Sequence, residues 1–391
     1  MYTTTFIFTS LAIASSFLFL IKKFARFNLY IYSLFFYICA ITRPYDIDAI
    51  DNGNLANYLT SQYDWGLKEK ITYSFVYNLT LPFENYEIKF LFLILISLIL
   101  LSIGIYRLIR FFKTSREHNN KWNLYTFLVC LLLPSIGSTL YMIHLRQFVS
   151  FSLVILFISF LIKPVKNNIF ILALCTLFVA LIHPIYLLLF LSFIPFLINY
   201  VISIKQIKII FFKLYNLFYK LRFFLIIPIL LGLFYFGFEI YLNVFSKIPI
   251  LAAYAFIGDT EIGRVGALYL IPILLLMISQ FSATTIYSNF IIKNKILPIK
   301  KFTLRSINIY SIFILSFLLI LISIEFFTPT IYAVGRVKSA LYPSLFVTSA
   351  LLGYEKRKYH LFFNYILIVL FALASFYSTY KRLMLVPELL F

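Results

Sequence analysis

"HLRQFVSFSLVILFI", residues 144–158, opens on His144, Arg146 and Gln147 and runs without a break into a stretch whose only later polar members are Ser150 and Ser152. A helix made from it has no polar stripe to offer water, so it belongs either inside a large core or inside a bilayer. The composition of the whole chain chooses between these. Of 391 residues, 62% are hydrophobic and 12% charged, the latter about half the charged fraction of an ordinary soluble domain. Windows of about 20 apolar residues, enough to cross a bilayer, follow one another with short polar gaps. The expected fold class is therefore all-α: a polytopic integral membrane protein forming a single membrane domain over 1–391.

About twelve spans satisfy the pattern, near 6–21, 27–42, 88–108, 123–142, 146–162, 169–183, 185–204, 223–238, 266–286, 306–325, 339–353 and 361–378. Alternate gaps collect Lys22, Lys23 and Arg26, then Arg107, Arg110, Lys113, Arg116 and Lys121, and further on Lys163 and Lys166. The later members of the series are the basic clusters at 205–222, 293–305 and 356–358, and the only acids on this side are Glu117 and Glu355. Lysine and arginine are retained on the cytoplasmic face, so these gaps are cytoplasmic and both termini face outward. The net charge of +20 is then a topological signal, and nucleic acid is excluded as a partner. The first span has no charged leading segment and no clear cleavage site, and is expected to be retained.

The cytoplasmic gap "KQIKIIFFKLYNLFYKLR", 205–222, sets Lys205, Lys208, Lys213 and Lys220 on one helical face against Ile209, Phe212 and Phe218. It reads as an interfacial helix lying on the inner leaflet. The three cysteines, Cys39, Cys130 and Cys175, all fall in apolar segments and give neither a disulfide framework nor a metal site. No zinc spacing, no Ser-His-Asp order and no glycine-rich phosphate loop occurs.

The outward side carries the chemistry. Its long gap, about 43–87, begins "TRPYDIDAID" and holds Arg43, Asp46, Asp48, Asp51 and Tyr58. A second, about 239–265, contains "FIGDTEIGRVG" with Arg264. Shorter turns add His144-Leu145-Arg146-Gln147, His183-Pro184 and "YAVGRVKSALYP" with Arg336. Four arginines at outward span edges, Arg43, Arg146, Arg264 and Arg336, are either snorkelling helix ends or the lining of a wet cavity. A guanidinium keeps its charge and grips phosphate oxygens through paired hydrogen bonds, so several converging on one cavity suit a pyrophosphate.

Asp46, Asp48 or Asp51 near such a cavity offers a general base for a sugar hydroxyl. The alternatives are a carboxylate paired with Arg43 or, for Asp46-Ile47-Asp48, a divalent cation as a minor alternative to a site with no cofactor and no metal. His183 and His144 are each readable as a base or substrate ligand, or as a helix cap. Tyr73, Phe75, Tyr77 and Phe83, in "EKITYSFVYNLTLPFENY", fit an aromatic belt or a sugar-stacking surface.

Taken in order, the "ITRP" stretch after the second span, "HLRQFVSFSLVI", "ALIHPIYLLLFL" and "AVGRVKSALYP" resemble the EpsG-like and Wzy-type bacterial polysaccharide polymerases. Arg146-Gln147 followed by the small Ser150 resembles that family's Arg-Gln and small residue, and His183-Pro184 its His-Pro. The first loop departs from the family's tighter Arg, Gly-x-Asp, Tyr spacing, which leaves open which of Asp46, Asp48 and Asp51 corresponds.

The resemblance implies a membrane glycosyltransferase at the outer face of the bacterial inner membrane. It would join undecaprenyl-pyrophosphate-linked repeat units into O-antigen, capsule or exopolysaccharide. Asp46, Asp48, Asp51 or His183 would then serve as base, and Arg43, Tyr58, His144, Arg146, Gln147, Arg264 and Arg336 would bind substrate and pyrophosphate. Membrane lipids are implied partners and a chain-length regulator protein a further candidate. The alternatives are a glycan ligase and a flippase or transporter of lipid-linked sugars. A transporter places charges near mid-bilayer, whereas here they gather on one face.

Overall fold

The computed structural model describes residues 2–20, 25–42, 82–83, 86–113, 126–127, 129–134, 145–162, 168–183 and 186. It also describes single positions and short groups between 228 and 247, at 343, and between 362 and 377. Among these residues regular structure is helical throughout, with no strand. The chain divides into two compact units, Met1–Leu187 with Tyr342–Phe391, and Leu188–Leu341.

In the first unit, α1 spans Tyr2–Ser16 and tightens into a 3₁₀ turn at Phe17–Leu20, α2 spans Ala25–Ile41, and α3 Tyr86–Lys113. Helices α4, Leu145–Ile162, and α5, Asn168–Ile182, follow. Residues 129–134 are also helical. The segment Leu91–Arg110 within α3, 20 residues, is long and apolar enough to cross a membrane. Its length is about 30 Å at 1.5 Å per residue. Phe6–Leu20, Phe27–Cys39, Arg146–Leu161 and Phe170–Ile182 are shorter apolar helices.

These elements fall where the apolar runs at 6–21, 27–42, 88–108, 146–162 and 169–183 place them. The ends differ. α3 begins at Tyr86 and carries Arg107, Arg110 and Lys113 on its last turns, where basic groups complement the helix dipole. In the second unit the described residues from 239 to 247 are helical, whereas 238 reads as the end of a span. Glu239 is a lone charge there, and Tyr241, Leu242, Val244 and Phe245 continue the apolar pattern after it. The described residues within 123–142, 223–238 and 361–378 are helical too, only single positions are described in 185–204 and 339–353, and the spans at 266–286 and 306–325 and the interfacial helix at 205–222 lie outside the described residues.

Packing runs α1 against α2, α3 against α4 and α4 against α5, with a smaller contact between α2 and α3. α4 is the central element: every residue from Gln147 to Ser159 is buried. α3 approaches it through Gly104, where a Cβ would meet Ile155 Cγ2 at 3.0 Å and the Leu156 amide nitrogen at 3.0 Å. A small residue at a helix crossing lets two backbones come this close. Lower on the same pair, the Arg107 guanidinium lies over the Phe160 ring, 3.8 Å from its centroid. α2 is tied to α3 by a hydrogen bond between the hydroxyls of Tyr37 and Ser102, 2.6 Å. It is tied to the end of the first segment by Asn28 Nδ2, which donates to the Leu18 carbonyl at 2.7 Å. Phe6 stacks on Phe376 at 5.2 Å, which brings the C-terminal helical residues to α1.

Two further features recur along these helices. Ser97, Ser152 and Thr176 donate to the carbonyl four residues back, and Ser15, Ser16 and Ser159 to the one three back. A hydroxyl without water nearby satisfies itself on its own helix in this way. The outer faces are also apolar: Phe27, Tyr30 and Leu34 on α2, Ile99, Ile103 and Tyr106 on α3, and Phe170 and Leu177 on α5 are all exposed.

Candidate functional site

Of the predicted site residues, Arg146, Gln147 and His183 are described, and of the aromatic residues read as a belt or stacking surface, Phe83, which packs against Phe92 with ring centroids 4.7 Å apart. Arg43, Asp46, Asp48, Asp51, Tyr58, His144, Arg264 and Arg336 lie outside the described residues.

Arg146 and Gln147 occupy the first turn of α4, which contains no acidic residue. Gln147 is buried, at 2% exposure, and Arg146 is half-buried with its Nε shielded from solvent. The first amides of a helix have no intrahelical acceptor and the dipole places positive potential there. A guanidinium and an amide side chain on the same turn add donors to that end. The first turn of α4 thus brings a guanidinium, an amide side chain and the helix's own leading amides together.

His183 arrives from α5. Its amide donates to the Val179 carbonyl at 2.9 Å and so completes the last α-turn. Pro184 has no N–H to continue the ladder. The chain instead tightens, and the Tyr186 amide donates to the His183 carbonyl at 3.2 Å. This fixes the imidazole edge-on to the Tyr186 ring, centroids 5.8 Å apart and planes at 80°. Both side chains are buried, His183 at 5% and Tyr186 at 0% exposure.

The connection between α4 and α5 is short, residues 163–167, and the two helices pack along one another. They form an antiparallel hairpin, which brings the end of α5 back to the start of α4. From Ile162 to Arg146 the chain climbs about 24 Å, and from Asn168 to His183 about 22 Å. Arg146, Gln147 and His183 therefore stand at the same level, at the open end of one helical pair. Two marks separated in sequence come to the same end of the pair because the hairpin's arms are nearly equal in length.

Two members of this corner were not singled out as site residues. Tyr186 is three residues past His183 across the proline, a spacing that reads as ordinary aliphatic span without the 3₁₀ turn. Ser150, one turn deeper than Arg146, is fully buried, and its Oγ makes no hydrogen bond among the described residues.

No family model matches the chain, and no curated protein or solved structure matches it either.

Proposed function

We propose that the chain is a polytopic membrane glycosyltransferase of the bacterial inner membrane, with about twelve spans. In this reading it polymerises undecaprenyl-pyrophosphate-linked oligosaccharide repeat units at the outer face. The observation that supports it is that Arg146 and Gln147, at the start of α4, and buried His183, at the end of α5, lie at the same end of two helices packed on one another. These are the Arg-Gln and His-Pro marks by which the sequence resembles the EpsG-like and Wzy-type polymerases. Lipid accounts for the apolar outer faces of α2, α3 and α5.

The chemistry follows from the groups. A hydroxyl of the incoming unit attacks the anomeric carbon of the growing chain, forming a new C–O bond. The C–O bond to the pyrophosphate breaks, and undecaprenyl pyrophosphate leaves. Arg146 holds the diphosphate and stabilises the charge that develops on it, the role in which fixed donors contribute most. His183 receives the proton of the attacking hydroxyl, held in place by Tyr186 and its closing turn. Arg43, Arg264 and Arg336 complete the binding of the two pyrophosphates, and Asp46, Asp48 or Asp51 is the alternative base. Guanidinium groups supply the charge without a metal.

The test is the surface glycan of a strain lacking this chain. Collapse of the ladder to one-unit bands, with lipid-linked units still displayed outside, is the expected result. Loss of that display indicates a flippase instead, and a retained ladder with no transfer to the final acceptor indicates a ligase.

A further inference from the structure

Among the described residues, the buried serines follow one rule with one exception. Ser15, Ser16, Ser97, Ser152 and Ser159 are buried and each donates to a carbonyl of its own helix. Ser150 is as deeply buried, at 0% exposure, yet its Oγ neither turns back to its own helix nor meets any other group among the described residues. It is the one buried serine or threonine there whose hydroxyl makes no hydrogen bond. Its neighbour Ser152, two residues on, bonds the Phe148 carbonyl at 2.9 Å, so the local helix does not forbid the usual arrangement.

Position gives the exception meaning. Ser150 is one turn from Arg146 and on its face of α4, about 6 Å deeper along the axis. Helical Cα–Cβ bonds tilt toward the N-terminus, and residues four apart share a face, so Ser150 lies beneath Arg146 on the same side of α4. A buried donor is left without a partner only at a cost, and an anion seated at the first turn of α4 supplies one.

We propose that Ser150 is a ligand-binding residue, donating its hydroxyl hydrogen to a diphosphate oxygen of the polyprenyl carrier held by Arg146. This rests on the reading of the corner as a pyrophosphate site and adds to it the depth at which the diphosphate sits.

The experiment measures binding of undecaprenyl pyrophosphate, and separately of inorganic pyrophosphate, to the full chain in nanodiscs. The proteins are wild type, Ser150→Ala and Ser152→Ala, each with its unfolding temperature. Ser150→Ala is expected to weaken both probes about tenfold, the scale of one hydrogen bond to a charged group. Its unfolding temperature without ligand stays unchanged or rises, because the alanine leaves no unpartnered hydroxyl. Ser152→Ala binds as wild type.

Unchanged affinity in Ser150→Ala overturns the proposal and leaves the pyrophosphate reading standing, the hydroxyl then being served by buried water. Weakened inorganic pyrophosphate binding with the lipid unaffected puts the hydroxyl on a free anion and overturns its assignment to the carrier. A lowered unfolding temperature without ligand makes the hydroxyl a structural group and overturns it too. Failure of the wild-type chain to bind either probe overturns the pyrophosphate reading itself, and the proposal with it.

Discussion

Gly104 of α3 lies so near Leu156 of α4 that a Cβ at position 104 would stand 3.0 Å from the Leu156 amide nitrogen. The opposing atom is backbone in a helix that is buried all round, so it cannot step aside as a flexible side chain would. Since α4 carries Arg146 and Gln147, this crossing also sets where the candidate site sits relative to α3. Gly104→Ala is expected to destabilise the protein by about 1–2 kcal/mol: the overpacking penalty exceeds the gain of up to ~1 kcal/mol that alanine normally brings to a helix. Unfolding temperature in detergent measures it. Gly104→Leu should leave no cooperatively folded protein.

Tyr37 and Ser102 test whether the contact between α2 and α3 is specific. Their hydroxyls are 2.6 Å apart and part-buried. A double-mutant cycle with Tyr37→Phe and Ser102→Ala should return a coupling of about 0.6 kcal/mol, and no more than ~1.7, the range of such bonds between membrane helices. Strictly additive effects would mean the two hydroxyls do not interact.

Asn28 joins α2 to the 3₁₀ turn that ends the first helical segment, through Nδ2 to the Leu18 carbonyl. Asn28 itself is 4% exposed. Asn28→Ala should cost about 1 kcal/mol, because a part-buried carbonyl loses its donor. Asn28→Asp should cost at least as much, since a carboxylate cannot donate. Denaturation of the two variants beside wild type checks both the size and the order.

The helices were legible in the sequence because run length and flanking charge suffice to define them. Lys22, Lys23 and Arg26 close the first run, and Lys163, Pro164 and Lys166 separate α4 from α5. That Arg146 and His183 lie at the same end of the α4–α5 pair follows from the helix bounds, nearly equal arms about a short connection. What run length cannot show is how one helix approaches another. Gly104 is a single small residue inside an apolar stretch, and nothing near it in sequence indicates Ile155 and Leu156 as its neighbours. Ser150 likewise looks like Ser152, since hydropathy does not record which hydroxyl has bonded to its own backbone. The helical residues beyond 238 were obscured by Glu239, whose charge resembles a span end though the apolar pattern resumes after it. The carboxylates and Arg43, Arg264 and Arg336 lie outside the described residues, so their relation to the α4–α5 corner is a matter for experiment.

That experiment is polymer formation by the purified chain in nanodiscs, supplied with its cognate undecaprenyl-pyrophosphate-linked repeat unit and read as a ladder on a gel. The wild-type chain and Ser152→Ala should extend the glycan. Arg146→Ala should lose about 10²- to 10³-fold in rate, the scale of removing one charge-stabilising donor, and His183→Ala should fall about 10²-fold or more, with both variants folded. If Arg146→Ala and His183→Ala build the same ladder at the same rate as wild type, the corner between α4 and α5 is not where sugars are joined.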